Sequence, residues 1–321
     1  MKETTPLANK ESFTSKFSKK LRNAIFVDGA TLKSTAKAYL YLLPALIIIV
    51  VFSIYPIFRS LQLAFYTDFN FFTREGFETG TDNFTYVLNS QTFHLSLRNT
   101  ITFVIGVVPL TIIISLMIAL AIHSVAKGTA FFRSIYFLPH ITSTIAIATV
   151  FQWIFHTQSG ILNYILSWFG IDPIAWLGHP DWAMPALIIM SVWSNLGFGT
   201  VLLLAGLQTI DKGLYLAAKV DGAGKWHRFT TVTLPMLSPT IFFLSITSVI
   251  GSFRIFGQIF ALFRGPGTAN SALTVVYFIY QQFWEVRNIP RASAAALVLF
   301  AIIFAITLVQ MAVGKKLVHY K

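Results

Sequence analysis

Six stretches of more than 20 residues in this chain contain no Asp, Glu, Lys or Arg: 38–58, 99–126, 134–171, 182–210, 229–253 and 292–314. About 20 predominantly apolar residues carry a helix across the hydrocarbon core of a bilayer, and each stretch is at least that long. Only 11% of the 321 residues are charged and 55% are hydrophobic, against about 25% charged in an ordinary soluble domain. So few charges cannot dress a water-facing surface. The chain is therefore read as an integral membrane protein. It has no Cys, which removes thiol redox chemistry, thiolate metal sites and cysteine nucleophiles together.

Hydrocarbon cannot hydrogen-bond a free backbone group, so a span is either a helix or part of a closed barrel. Barrel strands alternate apolar and polar residues, whereas Leu43–Val51 is apolar on every side. The expected fold is all-α, with six transmembrane helices near 39–64, 98–124, 133–156, 183–208, 234–262 and 292–314. The third stretch is too long for one helix, and its second part, Gly160–Ile171, reads as a short helix at the outer interface with Trp168 at headgroup depth.

Lys and Arg gather on the cytoplasmic side of membrane proteins. With the N-terminus inside, the inner segments hold seventeen and the outer ones six, with Arg254 inside a span. Both termini are thus expected in the cytoplasm, with a basic segment 1–38, a membrane domain 39–316 and a tail 317–321. The segment before the first span is too long for a signal-peptide n-region, and no small-residue cleavage site follows the apolar run, so the first span should stay as an anchor. Basic loops against anionic lipid account for the net charge of +12 without any nucleic acid partner.

The longest inner connection, 209–233, is the most patterned. Asp211 can cap a short helix, Leu214, Ala217, Ala218 and Val220 give it a face of mostly small apolar residues, and Gly222 and Gly224 end it. Trp226, Arg228 and Phe229 make an amphipathic return, and Pro235 opens or kinks the next span. On the residues alone, such a helix fits either another protein's groove or the lipid surface.

Ala217-Ala218, Asp221-Gly222-Ala223, Phe229, Val232 and Leu234-Pro235 resemble the EAA loop of binding-protein-dependent ABC importer permeases. That pattern is Glu-Ala-Ala, three residues, Gly, nine residues, an Ile-like residue, one residue and Leu-Pro. The spacing matches throughout; Leu216 stands where the family usually has Glu. Further landmarks are similar to sugar and glycerol-phosphate permeases of the maltose type: Asp82-Asn83-Phe84 ahead of Asn99-Thr100, Phe131 to Pro139, Val192 to Phe198, and Arg264-Gly265-Pro266-Gly267.

The resemblance implies a MetI-like type I importer permease in a bacterial inner membrane, working by alternating access. It implies a second permease, two ATPase subunits and an extracytoplasmic solute-binding protein as partners. ATP and Mg would belong to the ATPases, with no cofactor on this chain. The coupling residues it implies are Leu216, Ala217, Ala218, Asp221, Gly222, Ala223, Arg228, Phe229 and Pro235, on a helix at about 213–224 seated in the ATPase. The solute would be a sugar, oligosaccharide or related polyol.

Other classes fit less well. Gly222-Ala223-Gly224-Lys225 lacks the upstream Gly and the following Ser or Thr of a phosphate loop. The seven His show no metal-ligand spacing, and no carboxylate lies inside an expected span, which leaves neither an acid pair for hydrolysis nor a proton relay for a secondary transporter. A self-sufficient transporter or channel is the rival reading. For the solute path, Arg254 and Gln258, four residues apart, are expected on one helical face, either lining a cavity or with Arg254 reaching to the headgroups. Trp193 and Asn195 on span four and Gln152 and Trp153 on span three are further candidates, the aromatics equally suited to an interface belt.

Overall fold

A computed structural model describes residues 29–73, 75–124 and 129–318; the basic segment 1–28, Arg74, Lys127 and the last three residues lie outside them. The chain divides into two compact units at Arg59/Ser60. The first is a helical run of α1 (Gly29–Ile49), a π turn (Val50–Ile54) and the start of α2 (Tyr55–Ala64). The π turn has a cause in the sequence. Pro56 has no N–H, and its ring crowds the carbonyl four residues back. Just before it the helix widens, and the Tyr55 N–H bonds the Val50 carbonyl five residues back. The device recurs at Phe229–Thr233, where the Leu234 N–H bonds the Phe229 carbonyl one residue ahead of Pro235.

The second unit opens, after the end of α2, with a small antiparallel hairpin, β1 (Tyr66–Phe69) and β2 (Gly76–Thr79), and α3 (Asp82–Asn89). Then come α4 (Gln91–Ser124), α5 (Thr129–Ile141), α6 (Thr144–Ile154), α7 (Ile161–Ser167) and α8 (Pro180–Gln208). After them follow α9 (Lys212–Val220), α10 (Lys225–Arg228), a π turn (Phe229–Thr233), α11 (Leu234–Phe253), α12 (Gly257–Phe263), α13 (Val275–Tyr280), a π turn (Gln281–Glu285) and α14 (Ile289–Leu317).

Among the described residues, five helices are long and apolar enough to cross a membrane, and a sixth span arises if a broken pair counts as one. That pair corrects the expected span 133–156: Arg133–Ile141 and Thr144–Ile154 meet at 102°. Pro139 weakens the last turn of α5, and Thr142-Ser143 leave the helix. Span five is corrected at both ends. Its helix reaches back to Lys225 and stops at Phe253 rather than 262. Arg254–Phe256 break it, and α12 is a separate helix. The first helix starts at Gly29, inside the segment expected to precede it. The short helix expected within 160–171 is Ile161–Ser167, with Trp168 exposed beyond its end and edge-on to Tyr164.

Lipid tails are as apolar as leucine, so helices in a membrane associate through close packing of small residues. Gly199 of α8 faces Ser115 of α4, and Gly206 faces Thr240 and Leu237 of α11, each too close to admit a β-carbon. Gly197 takes the backbone of α5 at Tyr136 and Phe137 directly against α8. Three buried clusters result. One, with Leu187, Met190 and Ile259, joins α8 to α6 and α12; one, with Phe93, Phe253 and Phe278, joins α4, α11, α13 and α14; one, with Leu203, Leu207 and Leu237, lies toward loop 209–233.

The breaks expose backbone groups that polar side chains satisfy, as a membrane interior requires. Thr274 Oγ1, fully buried, donates to the Ile255 carbonyl in the break after α11 (3.2 Å). Gln152 Nε2 donates to the Ala261 and Leu262 carbonyls at the end of α12 (3.0 and 2.9 Å). Asn163 holds the segment after α6: Nδ2 donates to the Thr157 and Ile174 carbonyls, and Oδ1 accepts from the Ile174 N–H and Trp176 Nε1.

Candidate functional site: a capped surface helix and a polar cavity

Helix α9 is defined at both ends by its own sequence. Asp211 Oδ1 accepts from the Gly213 N–H at 2.8 Å, satisfying one orphan donor of the first turn. At the other end Gly222 adopts φ +78°. Its N–H bonds the Lys219 carbonyl (3.1 Å) and the Ala223 N–H bonds the Ala218 carbonyl (2.9 Å), the paired closure of a Schellman turn. The helix is therefore Lys212–Val220, shorter than the expected 213–224, because the closure takes Asp221 to Ala223 out of it.

One side of α9 is tied down. Tyr215 Oη and Thr233 Oγ1 are 3.0 Å apart, and Ala218 is half-buried. Gly213, Leu216, Ala217 and Val220 follow the i, i+3, i+4, i+7 rhythm of one face and are all exposed, Leu216 by 64% and Val220 by 86%. The apolar face that needs a cover is thus centred on Leu216 and Val220, with Leu214 off it. Asp221 is exposed and ends the helix, and Ala223 is half-buried. Arg228 is the last residue of α10, half-buried, with its Nε buried and without a hydrogen-bond partner among the described residues. Phe229 begins the π turn with its ring 5.5 Å from that of Trp226, and Pro235 is the second residue of α11.

From Lys225 to Phe253 the helix runs on without interruption, roughly 43 Å at 1.5 Å per residue. Its far end, at Thr247, Ser248, Gly251 and Ser252, lines a cavity of about 260 Å³ shared with α4, α5, α8 and α12. A second cavity of about 180 Å³ lies against it, and His140, Asn195 and Gln258 line both. The linings hold hydroxyls, amides, an imidazole and aromatic rings, and no carboxylate, guanidinium or ammonium. Thr111 and Ser191, both nearly fully buried in the wall of the larger cavity, have hydroxyl oxygens without a partner among the described residues. Buried polar groups are almost always paired, so these hydroxyls are suited to a polar occupant.

Of the path candidates, the structure brings Asn195 and Gln258 together at this cavity. Arg254 is exposed, follows the last residue of α11 and is not among the lining residues. It does not share a helical face with Gln258, because the chain breaks between them. Gln152 is occupied with the end of α12. Trp153 is 79% exposed, and Trp193, 43% exposed, stands edge-on to Phe151. His140 was not expected from sequence. It lies one residue past Pro139 at the broken span, stacked on Phe198 with centroids 5.3 Å apart; a polar residue beside a proline inside an uncharged run was the available signal.

Residues 111–319 match the family described as binding-protein-dependent transport system inner membrane component. The chain is similar to the lactose transport system permease protein LacF of Rhizobium radiobacter, 35% identical over 292 residues covering 88% of this chain and 96% of the relative. It is also similar to the trehalose/maltose transport system permease protein MalF of Thermococcus litoralis, 34% identical over 278 residues, 86% and 93% of the two chains. Among solved structures, a chain of the bacterial alginate ABC transporter in complex with an alginate pentasaccharide-bound periplasmic protein superposes with a TM-score of 0.75 at 27% identity, covering 88% of this chain and 94% of that one. A mostly helical membrane fold, an EAA-like segment and these matches agree: the chain belongs to the inner membrane components of binding-protein-dependent ABC transport systems.

Proposed function

We propose that this chain forms half of the translocation path of an ATP-driven sugar or oligosaccharide importer in a bacterial inner membrane, with both termini cytoplasmic. A second permease supplies the other half, and an extracytoplasmic solute-binding protein delivers the solute. Two ATPase subunits bind ATP and Mg²⁺ and receive α9. The carrying observation is α9 itself: a helix closed at both ends by its own hydrogen bonds, with an exposed apolar face and a rigid connection to the cavity.

The mechanism follows from that connection. Closure of the ATPase pair displaces α9. The Tyr215–Thr233 contact and the turn at Gly222 pass the displacement to the Lys225–Phe253 helix. The cavity-lining end of that helix then moves against α4 and α8, and access to the cavity alternates between the two sides. An uncharged, hydroxyl- and amide-rich lining with Phe103, Phe198 and His140 suits sugar hydroxyls and ring faces. Relatives that carry lactose and trehalose/maltose by name support a neutral saccharide.

The test is reconstitution of the co-purified particle. Asn195→Ala and Gln258→Ala each remove one neutral hydrogen-bonding group, worth about 0.5–1.5 kcal/mol net. They should raise the KM for saccharide uptake roughly two- to tenfold while assembly and basal ATP hydrolysis persist. Uptake by the chain alone, without an ATPase, would overturn the reading.

A further inference from the structure

The hairpin β1–β2 lies at the end of the bundle opposite α9: Ala64 at its base packs in one cluster with Phe253, the far end of the Lys225–Phe253 helix, whereas Tyr215 of α9 meets Thr233 near that helix's start. Two phenylalanines stand out from it: Phe72 at the tip is 81% exposed and Phe77 on β2 is 73% exposed. A two-stranded ribbon is marginal by itself, yet this one is held at both ends. At its base Asn83 Nδ2 donates to the Ala64 and Tyr66 carbonyls (3.1 and 2.8 Å). At its tip Asn70 Oδ1 accepts from the Phe72 and Thr73 N–H groups (2.9 and 3.2 Å), and Phe71 packs edge-on to Phe72. The aromatic tip is thus presented on a braced backbone, which lowers the ordering cost of docking.

The charges around it identify what it meets. Residues 66–82 carry four carboxylates and one cation in a chain of net charge +12. Asp68 and Glu78 are direct cross-strand partners, and both are exposed. Like charges opposite each other destabilise a ladder, so a cation brought from outside relieves the pair. Carboxylates interleaved with the phenylalanines also disfavour burial among lipid headgroups, where the enriched aromatics are Trp and Tyr.

We propose that the hairpin is a docking finger for the solute-binding protein: Phe72 and Phe77 enter an apolar notch on its surface, and Lys or Arg side chains at the rim of that notch meet Asp68 and Glu78. The inference rests on the importer reading above and adds the place and chemistry of the contact. Aromatic anchors dominate such interfaces, and truncating one costs about 2 kcal/mol or more.

The test uses the complete particle in lipid nanodiscs and the solute-binding protein that stimulates ATP hydrolysis by the wild-type particle. Phe72→Ala and Phe77→Ala should each weaken binding roughly thirtyfold, and Glu78→Lys should weaken it and flatten its salt dependence. Co-purification and basal hydrolysis should match wild type in all three. Binding of both alanine variants within about twofold of wild type would overturn the proposal while leaving the importer reading intact. So would quenching of a fluorophore on Thr73→Cys by nitroxide-labelled lipid in the absence of the binding protein, which would assign the finger to the membrane. A wild-type particle that no solute-binding protein binds or stimulates would overturn both.

Discussion

Gly222 shows how one residue can close a helix. Its φ of +78° is open to glycine and costs other L-residues roughly 1–2 kcal/mol. A β-carbon there would meet no atom within 4 Å, so the penalty of a substitution is backbone alone. Gly222→Ala should therefore open the turn after α9 without harming assembly, and solute-stimulated ATP hydrolysis should fall about five- to thirtyfold by that energy. Asn tolerates the left-handed region better than Ala, so Gly222→Asn should retain more coupling. Equal coupling in Gly222→Ala and wild type would show that the turn transmits nothing. The closure was legible in the sequence, because Ala217-Ala218 and Gly222 stand at the spacing of a helix and its left-handed end. The position of Leu216 at the centre of the exposed face was not, since the apolar residues 214, 216, 217, 218 and 220 allow several faces until Tyr215 is seen anchored to Thr233.

The same contrast holds for elements. Uncharged runs mark where helices lie, because charge is what hydrocarbon excludes, but they do not register a break that leaves the run uncharged. The bend at Thr142-Ser143 falls inside such a run, and only Pro139 hints at it. The stop at Phe253 was written more openly, since the fifth run ends there at Arg254; a span drawn on to 262 passed over it. A long-range pairing that periodicity cannot reveal ties together the pieces beyond the two breaks. Gln152 on α6 binds carbonyls at the end of α12, so the helices that follow the two breaks hold each other. Gln152→Leu keeps the approximate volume and strands both part-buried carbonyls, at a cost of up to about 1–3 kcal/mol each. The purified particle should unfold at a lower temperature. Gln152→Glu should be no better, because a carboxylate cannot donate. Unaltered thermal stability in Gln152→Leu would mean that the α6–α12 pair is held by its apolar contacts alone.

For the whole molecule the open quantity is sidedness, and it ties the pieces together. If loop 209–233 faces the ATPases, the Lys225–Phe253 helix, whose far end packs with the base of the hairpin, and α8, which alone separates Trp168 from the loop, put the hairpin tip and Trp168 on the other side of the membrane, and the Lys and Arg excess of the inner segments agrees with that sense. The chain has no Cys, so single cysteines report position without background. Val220, Phe72 and Trp168 are exposed by 86%, 81% and 68%, and replacing any of them leaves the buried clusters intact. A membrane-impermeant maleimide added to spheroplasts should label Phe72→Cys and Trp168→Cys within minutes, and Val220→Cys only after permeabilisation. In permeabilised membranes the Val220→Cys label should then drop when the ATPase is co-expressed, because a seated α9 buries its Leu216–Val220 face. The reverse pattern would turn the molecule over in the bilayer and separate the capped helix from the nucleotide. Labelling of Val220→Cys that ignores the ATPase would leave the sidedness standing and remove α9 as the coupling element.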